Sequence, residues 1–345
     1  MSDALYNSTF LKACRGEPTD YTPVWLNRQA GRYMPEYHAV KGDTPSLDFF
    51  KTPHLAAQAT CDAQRILGVD AAIMFADLLP ILEPMGLDLD YIPGVGPNIS
   101  NPVRTHADID NIRMTHSGDS MPYIGEVIRL IRQELPADIP LIGFGGAPFT
   151  LASYAIEGKG SRNYVFVKQM MYGDSGAWHG LMTKITNAVI DYMQYQIESG
   201  VQAVQLFDSW VGCLSPSDYR EYVMPHSQRM LEAISGKVPV IHFGTGNPAL
   251  CELMAEAGGD VIALDWRTPL VETWDKMGVK AVQGNLDPIV LCSTVDAVKA
   301  QAKRLLDEVN GRPGHIFNLG HGIIPETPVE NVKALVDFIH EYTAR

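Results

Sequence analysis

Two arginines four residues apart, Arg28 and Arg32 in WLNRQAGRYMPEY, stand just past a short apolar run. A guanidinium holds several N–H donors in one plane, so a pair of them at the mouth of a fold makes a receptor for carboxylates. A helical segment would put both on one face, but Gly31 and Pro35 disfavour a long helix, and a loop with surface arginines is the alternative. Asp77 ends a second apolar run, in MFADLLP. A carboxylate there can hold a cationic intermediate or accept from N–H groups; its ordinary alternative is a cap on the next segment. Asp208 and Ser209 end LFDSW, where a turn or cap would serve as well.

GFGGAPFTLASYAIEG (143–158) carries four glycines. Small residues let a large flat ligand approach the backbone, and Tyr154 can present its hydroxyl toward such a ligand. The glycine spacing does not fit a dinucleotide fingerprint. His321, in NLGHGIIPET, lies between two glycines and can act near neutral pH as acid, base or carboxylate partner. His242 in VIHFG has apolar flanks and reads as structural. A zinc site needs three or four converging ligands, and neither histidine motif contains a cysteine, so no metal is expected. Cys213 stands alone, and neither a P-loop nor a GxSxG elbow occurs.

These residues share a place in a larger pattern. Eight short apolar runs recur, at 22–28, 70–77, 140–146, 202–209, 239–244, 261–266, 281–285 and 315–322. Segments of helical periodicity lie between most of them, such as 54–67, 121–135, 183–198, 248–258, 295–309 and 329–342. Nearly all-apolar strands alternating with amphipathic helices indicate a parallel sheet under a helical layer, and eight units indicate a closed (β/α)8 TIM barrel. Polar residues and glycine crowd the C-terminal ends of the runs, where the active sites of such barrels lie. Residues 1–21 read as an N-terminal extension outside the barrel. Residues 80–120 read as an excursion after strand two, with a small hairpin around LDLDYIP, and 151–182 as a second long connection. No low-complexity linker interrupts the chain, which favours one domain over 1–345.

Hydrophobic residues make up 46% of the chain and charged residues 19%, which excludes a disordered, collagenous or coiled-coil protein. With 40 acidic against 27 basic residues the net charge is −13, so neither nucleic acid nor an anionic membrane surface is an expected partner. Five widely spaced cysteines without CxxC fit a reducing compartment. No apolar run approaches the roughly 18 residues of a membrane span, and the N-terminus shows no signal or transit peptide. A cytoplasmic protein is expected, or one of the plastid stroma if a transit peptide was removed.

PVWLNRQAGRYMPEY, GFGGAPFTLASYAIEG, QLFDSWVG, LDWR, QGNLDP and FNLGHGIIPETP, taken in order, resemble the uroporphyrinogen decarboxylase family from about residue 5 to the C-terminus. The resemblance implies a cofactor-free homodimeric barrel enzyme. It would remove CO2 from the four acetate side chains of uroporphyrinogen III, giving coproporphyrinogen III for haem and chlorophyll synthesis. It implies Asp77 as the catalytic residue, with Arg28, Arg32, Tyr154, Ser209 and His321 as its partners in binding substrate, and Lys41 and Gln29 in support. Asn27 stands where the family often has Met, and Ala76 where it often has Ser. Lys41 stands where many members have an arginine proposed as proton donor, and lysine differs from arginine in geometry and acidity. Two alternatives are a zinc-dependent corrinoid–thiol methyltransferase of the related barrel superfamily and a non-enzymatic tetrapyrrole carrier.

Overall fold

Aliphatic strands of this kind bury both faces only when they lie side by side beneath helices. The computed structural model describes residues 2–345 and contains that arrangement. Its strands are β1 (Ala72–Ile73), β2 (Leu89–Ile92), β3 (Gly96–Ile99), β4 (Leu141–Gly146), β5 (Ala203–Asp208), β6 (Val240–Gly244), β7 (Val261–Ala263), β8 (Ala281–Gln283) and β9 (His315–Ile316). Seven of them form one parallel sheet in the order β1-β4-β5-β6-β7-β8-β9. The other two, β2 and β3, pair antiparallel as the hairpin expected at LDLDYIP.

The eighth barrel position belongs to the first apolar run, which forms no regular strand. It makes a single parallel bridge, Val24 to Phe317. Phe317 donates its N–H to the Pro23 carbonyl at 2.8 Å, and Asp70 donates to the Val24 carbonyl at 2.8 Å, so the segment joins β9 to the start of β1. Pro23 has no N–H to add to a ladder, and the chain turns away at Arg28.

Side chains complete the closure. Trp25 Nε1 donates to Gln283 Oε1 (2.9 Å), Gln283 Nε2 to Gln205 Oε1 (2.9 Å) and Gln205 Nε2 to Asn27 Oδ1 (3.0 Å). β5 and β8 are not neighbours in the sheet, so this chain of amides crosses the barrel interior. All four side chains are buried. Phe207 lies two residues beyond Gln205, on the same face of β5. Its ring packs against Phe144 (5.6 Å) and Phe243 (5.4 Å), making an aromatic layer nearer the strands' C-terminal ends.

The glycines of 143–146 do not open the backbone to a ligand. A Cβ on Gly143 would lie 2.5 Å from Gln196 Oε1, and one on Gly146 would lie 2.7 Å from a Leu151 methyl. Gln196, on helix Ser175–Ser199, accepts from the Phe144 N–H (2.9 Å) and donates to the Phe144 carbonyl (2.8 Å). Close helix–strand packing therefore uses this space. The second long connection is helical as well, in Pro148–Glu157, Val165–Gly173 and the first turns of Ser175–Ser199. Pro148 starts the first of these, where its missing N–H costs nothing.

At the opposite end of the barrel, the helix Thr9–Cys14 buries Phe10, Leu11 and Cys14 against β8 and β9. Asp70 gathers three separate parts of the chain there. It accepts from Tyr21 Oη (2.8 Å), the Val24 N–H (2.7 Å) and His340 Nε2 (2.8 Å). Burial works against the His340 charge, but the Asp70 carboxylate outweighs it and raises the imidazole's pKa. A histidine raised on folding stabilises the fold fully below its unfolded pKa of about 6.5 and loses that contribution as pH climbs through the folded value. Denaturant unfolding of the protein and of His340→Gln should therefore differ most at pH 6, with the gap shrinking toward pH 9; a gap that widens with pH contradicts this pairing. Asp70→Ala should cost about 3 kcal/mol, because it strands a partly buried cation and two donors.

Candidate active site

Arg28, Asp77, Ser209 and His321 follow the C-terminal ends of barrel strands or of the first run, and Tyr154 lies on the helix after β4. Arg28 takes φ 61°, a left-handed conformation that costs a non-glycine residue about 1–2 kcal/mol. Its neighbours hold it there. The Asn27 N–H donates to Asn318 Oδ1 (3.0 Å), and the Asn27 carbonyl accepts from Ile323 (3.0 Å). Gln29 accepts from the Leu26 N–H (3.1 Å) and donates to the Ala71 carbonyl (3.1 Å). The Gln29 amide is thus spent inside the barrel wall, supporting the backbone beside Arg28. The Arg28 side chain lies across Gly322, where a Cβ would collide with its Cδ.

That path brings Arg28 beside His321. The Gly322 N–H donates to His321 Nδ1 at 2.7 Å, which leaves the ring proton on Nε2. Burial lowers the His321 pKa, and the Arg28 charge lowers it further. His321 is therefore a neutral N–H donor at pH 7. The LDWR segment frames it: Trp266 meets its ring edge-on at 6.3 Å, and the Arg267 guanidinium lies 3.8 Å over Trp266 while pairing with the buried Asp265.

Asp77 lies at the end of the run that contains β1. Its Oδ1 accepts the Leu79 N–H at 3.1 Å, leading into the short turn Pro80–Leu82, so the capping alternative occupies one oxygen. Oδ2 has no hydrogen-bond partner among the described residues. Tyr154, on helix Pro148–Glu157, ties Asp77 to Arg28. Burial pushes its hydroxyl up to about 12, the Asp77 charge adds to that rise, and Arg28 opposes it. One phenol thus feels both charges, as His321 feels that of Arg28.

Ser209 is half-buried at the end of β5 and makes no side-chain hydrogen bond among the described residues. The next residue, Trp210, stacks on Tyr154 with ring centroids 3.8 Å apart. Asp208 turns the other way. It accepts from Thr150 Oγ1 at 2.8 Å, its second oxygen is buried without a partner, and burial pushes its carboxyl up to about 7. Arg32 is exposed on the loop after Arg28. Its carbonyl accepts from His38 Nε2 (2.8 Å) and its charge reaches Tyr37, whose ring packs on Phe75 (5.5 Å) two residues before Asp77. Its guanidinium makes no hydrogen bond or ion pair among the described residues. Lys41 donates to the Thr44 carbonyl at 2.6 Å. His242 is structural: it is buried, faces the Gly258 carbonyl at 3.3 Å and is lowered by burial to about 4.

Sequence reading missed Phe207, Trp210 and the amides Gln205, Gln283 and Asn318. A polar amide inside an apolar run was the available signal. Two concavities lie elsewhere, one among Arg104, His106, Phe166 and Asp174 and one among Glu83, Leu87 and Asp90. Neither gathers the strand-end groups, and in the first the ring of His106 is already paired with Asp174 at 2.7 Å. Among the described residues no three His, Cys, Asp or Glu side chains cluster as metal ligands.

Known proteins share this sequence and this fold. The model of the family described as "Uroporphyrinogen decarboxylase (URO-D)" matches residues 5–342. A uroporphyrinogen decarboxylase of Carboxydothermus hydrogenoformans is 51% identical over 98% of this chain and 97% of its own. One of Sorangium cellulosum is 52% identical over 96% of this chain and 95% of its own. A solved methyltransferase from Methanosarcina mazei has a TM-score of 0.78 over 97% of this chain and 98% of its own, at 23% identity, which is a likeness of fold.

The geometry at His321 has a direct spectroscopic consequence. Its ring should titrate below the ordinary histidine value of about 6.5 and carry its proton on Nε2 above that point. Nitrogen-detected NMR of the imidazole reads both, and a midpoint above 6.5 or an Nδ1–H tautomer contradicts the arrangement.

Proposed function

The chain belongs to the uroporphyrinogen decarboxylase family, and from that premise we propose how its rim performs the reaction. It is a carboxy-lyase of tetrapyrrole biosynthesis that converts uroporphyrinogen to coproporphyrinogen by loss of CO2. The substrate carries eight carboxylates, and a chain of net charge −13 must concentrate cations where they bind. Arg28 and Arg32 grip carboxylates as planar donors, and the neutral His321 adds an Nε2–H. Asp77 accepts from the pyrrole N–H groups, with Tyr154 and Ser209 lining the same face.

The chemistry needs an electron sink, and the substrate supplies it. A proton added to a pyrrole α-carbon makes a cationic, iminium-like ring. The carbon–carbon bond to the departing carboxylate then breaks, and its electron pair flows into the ring and neutralises it. A proton reaches the exocyclic methylene, the ring gives up its added proton, and a methyl group replaces the acetate. Each cycle exchanges one CO2 for one proton and needs no cofactor. Asp77, fixed beside the N–H groups, stabilises the cationic ring through preorganised charge.

The observation that carries this reading is that the Arg28 side chain lies across Gly322 next to His321, while Tyr154 packs on Trp210 beside Ser209 and feels the opposite charges of Arg28 and Asp77. A group that grips the substrate's acids and a group that meets its cation therefore serve one bound molecule. We further propose that residues 1–345 act as one domain and as a homodimer, as the family resemblance implies, and that the product serves haem and chlorophyll synthesis. A cytoplasmic location is supported by the bacterial relatives and by the absence, among the described residues, of a helix long and apolar enough to cross a membrane.

Asp77→Ala should lose about 10²–10³ in kcat while keeping its fold, with only the modest drop in unfolding temperature that loss of the Leu79 cap brings. An anaerobic assay in the presence of chelator, with porphyrin products separated by carboxylate number, measures this. Full turnover in the variant removes Asp77 from the mechanism.

A further inference from the structure

The hairpin of β2 and β3 takes no part in the mechanism above, yet one of its side chains reaches the rim. The Tyr91 hydroxyl is buried and has no hydrogen-bond partner. An unpaired buried donor costs about 1–3 kcal/mol, so its presence calls for a partner. Two carboxylates bear on it, Asp77 more than Glu83. Glu83 is already held by the Lys51 ammonium, at 2.9 Å through Oε1 and 2.8 Å through Oε2. Asp77 has its Oδ2 free of any partner among the described residues, since the Leu79 N–H takes Oδ1.

The surroundings fix Tyr91 and Asp77 relative to each other. The Tyr91 ring meets Phe50 edge-on at 5.6 Å, and Phe50 packs at 5.7 Å on Phe75, two residues before Asp77. The far strand of the hairpin is tied to the end of the Tyr154 helix, where the Ile99 N–H donates to the Gly158 carbonyl at 2.6 Å. One aromatic cluster therefore seats both the phenol and the carboxylate, and the hairpin cannot shift without the helix that carries Tyr154. Burial and the Asp77 charge both raise the Tyr91 pKa, so the hydroxyl stays protonated and acts as a donor.

We propose that Tyr91 is a positioning residue for Asp77: its O–H donates to the carboxylate and turns it toward the pyrrole N–H groups. This rests on the role given to Asp77 above. The bond is open in this structure, and catalytic hydrogen bonds often close only with substrate in place. A hydrogen bond to a charged group is stronger than one between neutral groups, and this one acts on the orientation of the group that meets the developing cation.

Tyr91→Phe removes the hydroxyl and keeps the ring on Phe50. Steady-state kinetics with uroporphyrinogen should show kcat falling about ten- to a hundredfold, with KM within about twofold of the parent. The unfolding temperature should hold or rise, because an unpaired buried hydroxyl is removed, and Tyr91→Phe should cost nothing further when added to Asp77→Asn. An unchanged kcat in Tyr91→Phe overturns the proposal. So does a raised KM at constant kcat, which would make the phenol a substrate contact, and so does full additivity in the double variant. Asp77→Asn is measured alongside. If it is inactive while Tyr91→Phe is normal, only the role of Tyr91 falls; if it turns over at the parent rate, the reading of Asp77 falls with it.

Discussion

The barrel closes through side-chain amides where the backbone ladder runs out. The first run contributes one parallel bridge, so its place depends on Trp25, Gln283, Gln205 and Asn27 joined end to end across the interior. Each amide in the middle of that chain both donates and accepts, which is the condition under which buried polar groups stabilise a unique arrangement. Asn318 extends it by accepting the Asn27 N–H at 3.0 Å. Arg28 is the next residue, held in a left-handed conformation between Asn27 and Gln29. The guanidinium most central to the rim is thus placed by a polar network that lies beneath it in the barrel.

Charge on the rim is arranged by burial as much as by residue type. Arg28 and burial together keep His321 neutral, so it offers a donor without adding a cation. Asp208, one residue before Ser209, faces the helix of Thr150, and burial moves its carboxyl up to about 7. A second carboxylate is thereby held off the face that must accept an octaanion. Asp77 keeps one carboxylate oxygen free of any partner among the described residues, as the proposed role at a cationic pyrrole requires. The rings of Phe144, Phe207 and Phe243 pack together beneath as an apolar layer.

Much of this follows from periodicity. Runs of Val, Ile, Leu and Ala flanked by amphipathic segments announce a parallel barrel, and the helix at 295–309 has the extent its pattern predicts. Three things do not follow from pattern. A run such as AVQLF looks like a strand with a flaw, because the partner of Gln205 lies 78 residues away in Gln283. The glycines of β4 suit a ligand or a helix equally well in sequence, and only Gln196, brought in by a later helix, decides for the helix. Tyr91 sits in a Pro- and Gly-rich excursion whose local pattern predicts a hairpin without saying where the hairpin packs. Arg28, Asp77, Tyr154 and His321 were all visible as polar residues at or beside strand ends; Lys41 and Gln29 were visible too, but their hydrogen bonds turn them toward Thr44 and the barrel wall.

The central claim is that Arg28 and Asp77 face one bound tetrapyrrole. A crystal structure of the protein with coproporphyrinogen, grown and frozen without oxygen, tests it directly. The account predicts pyrrole nitrogens within about 3 Å of the Asp77 carboxylate and a propionate on Arg28. A macrocycle seated with its nitrogens away from Asp77 would contradict it.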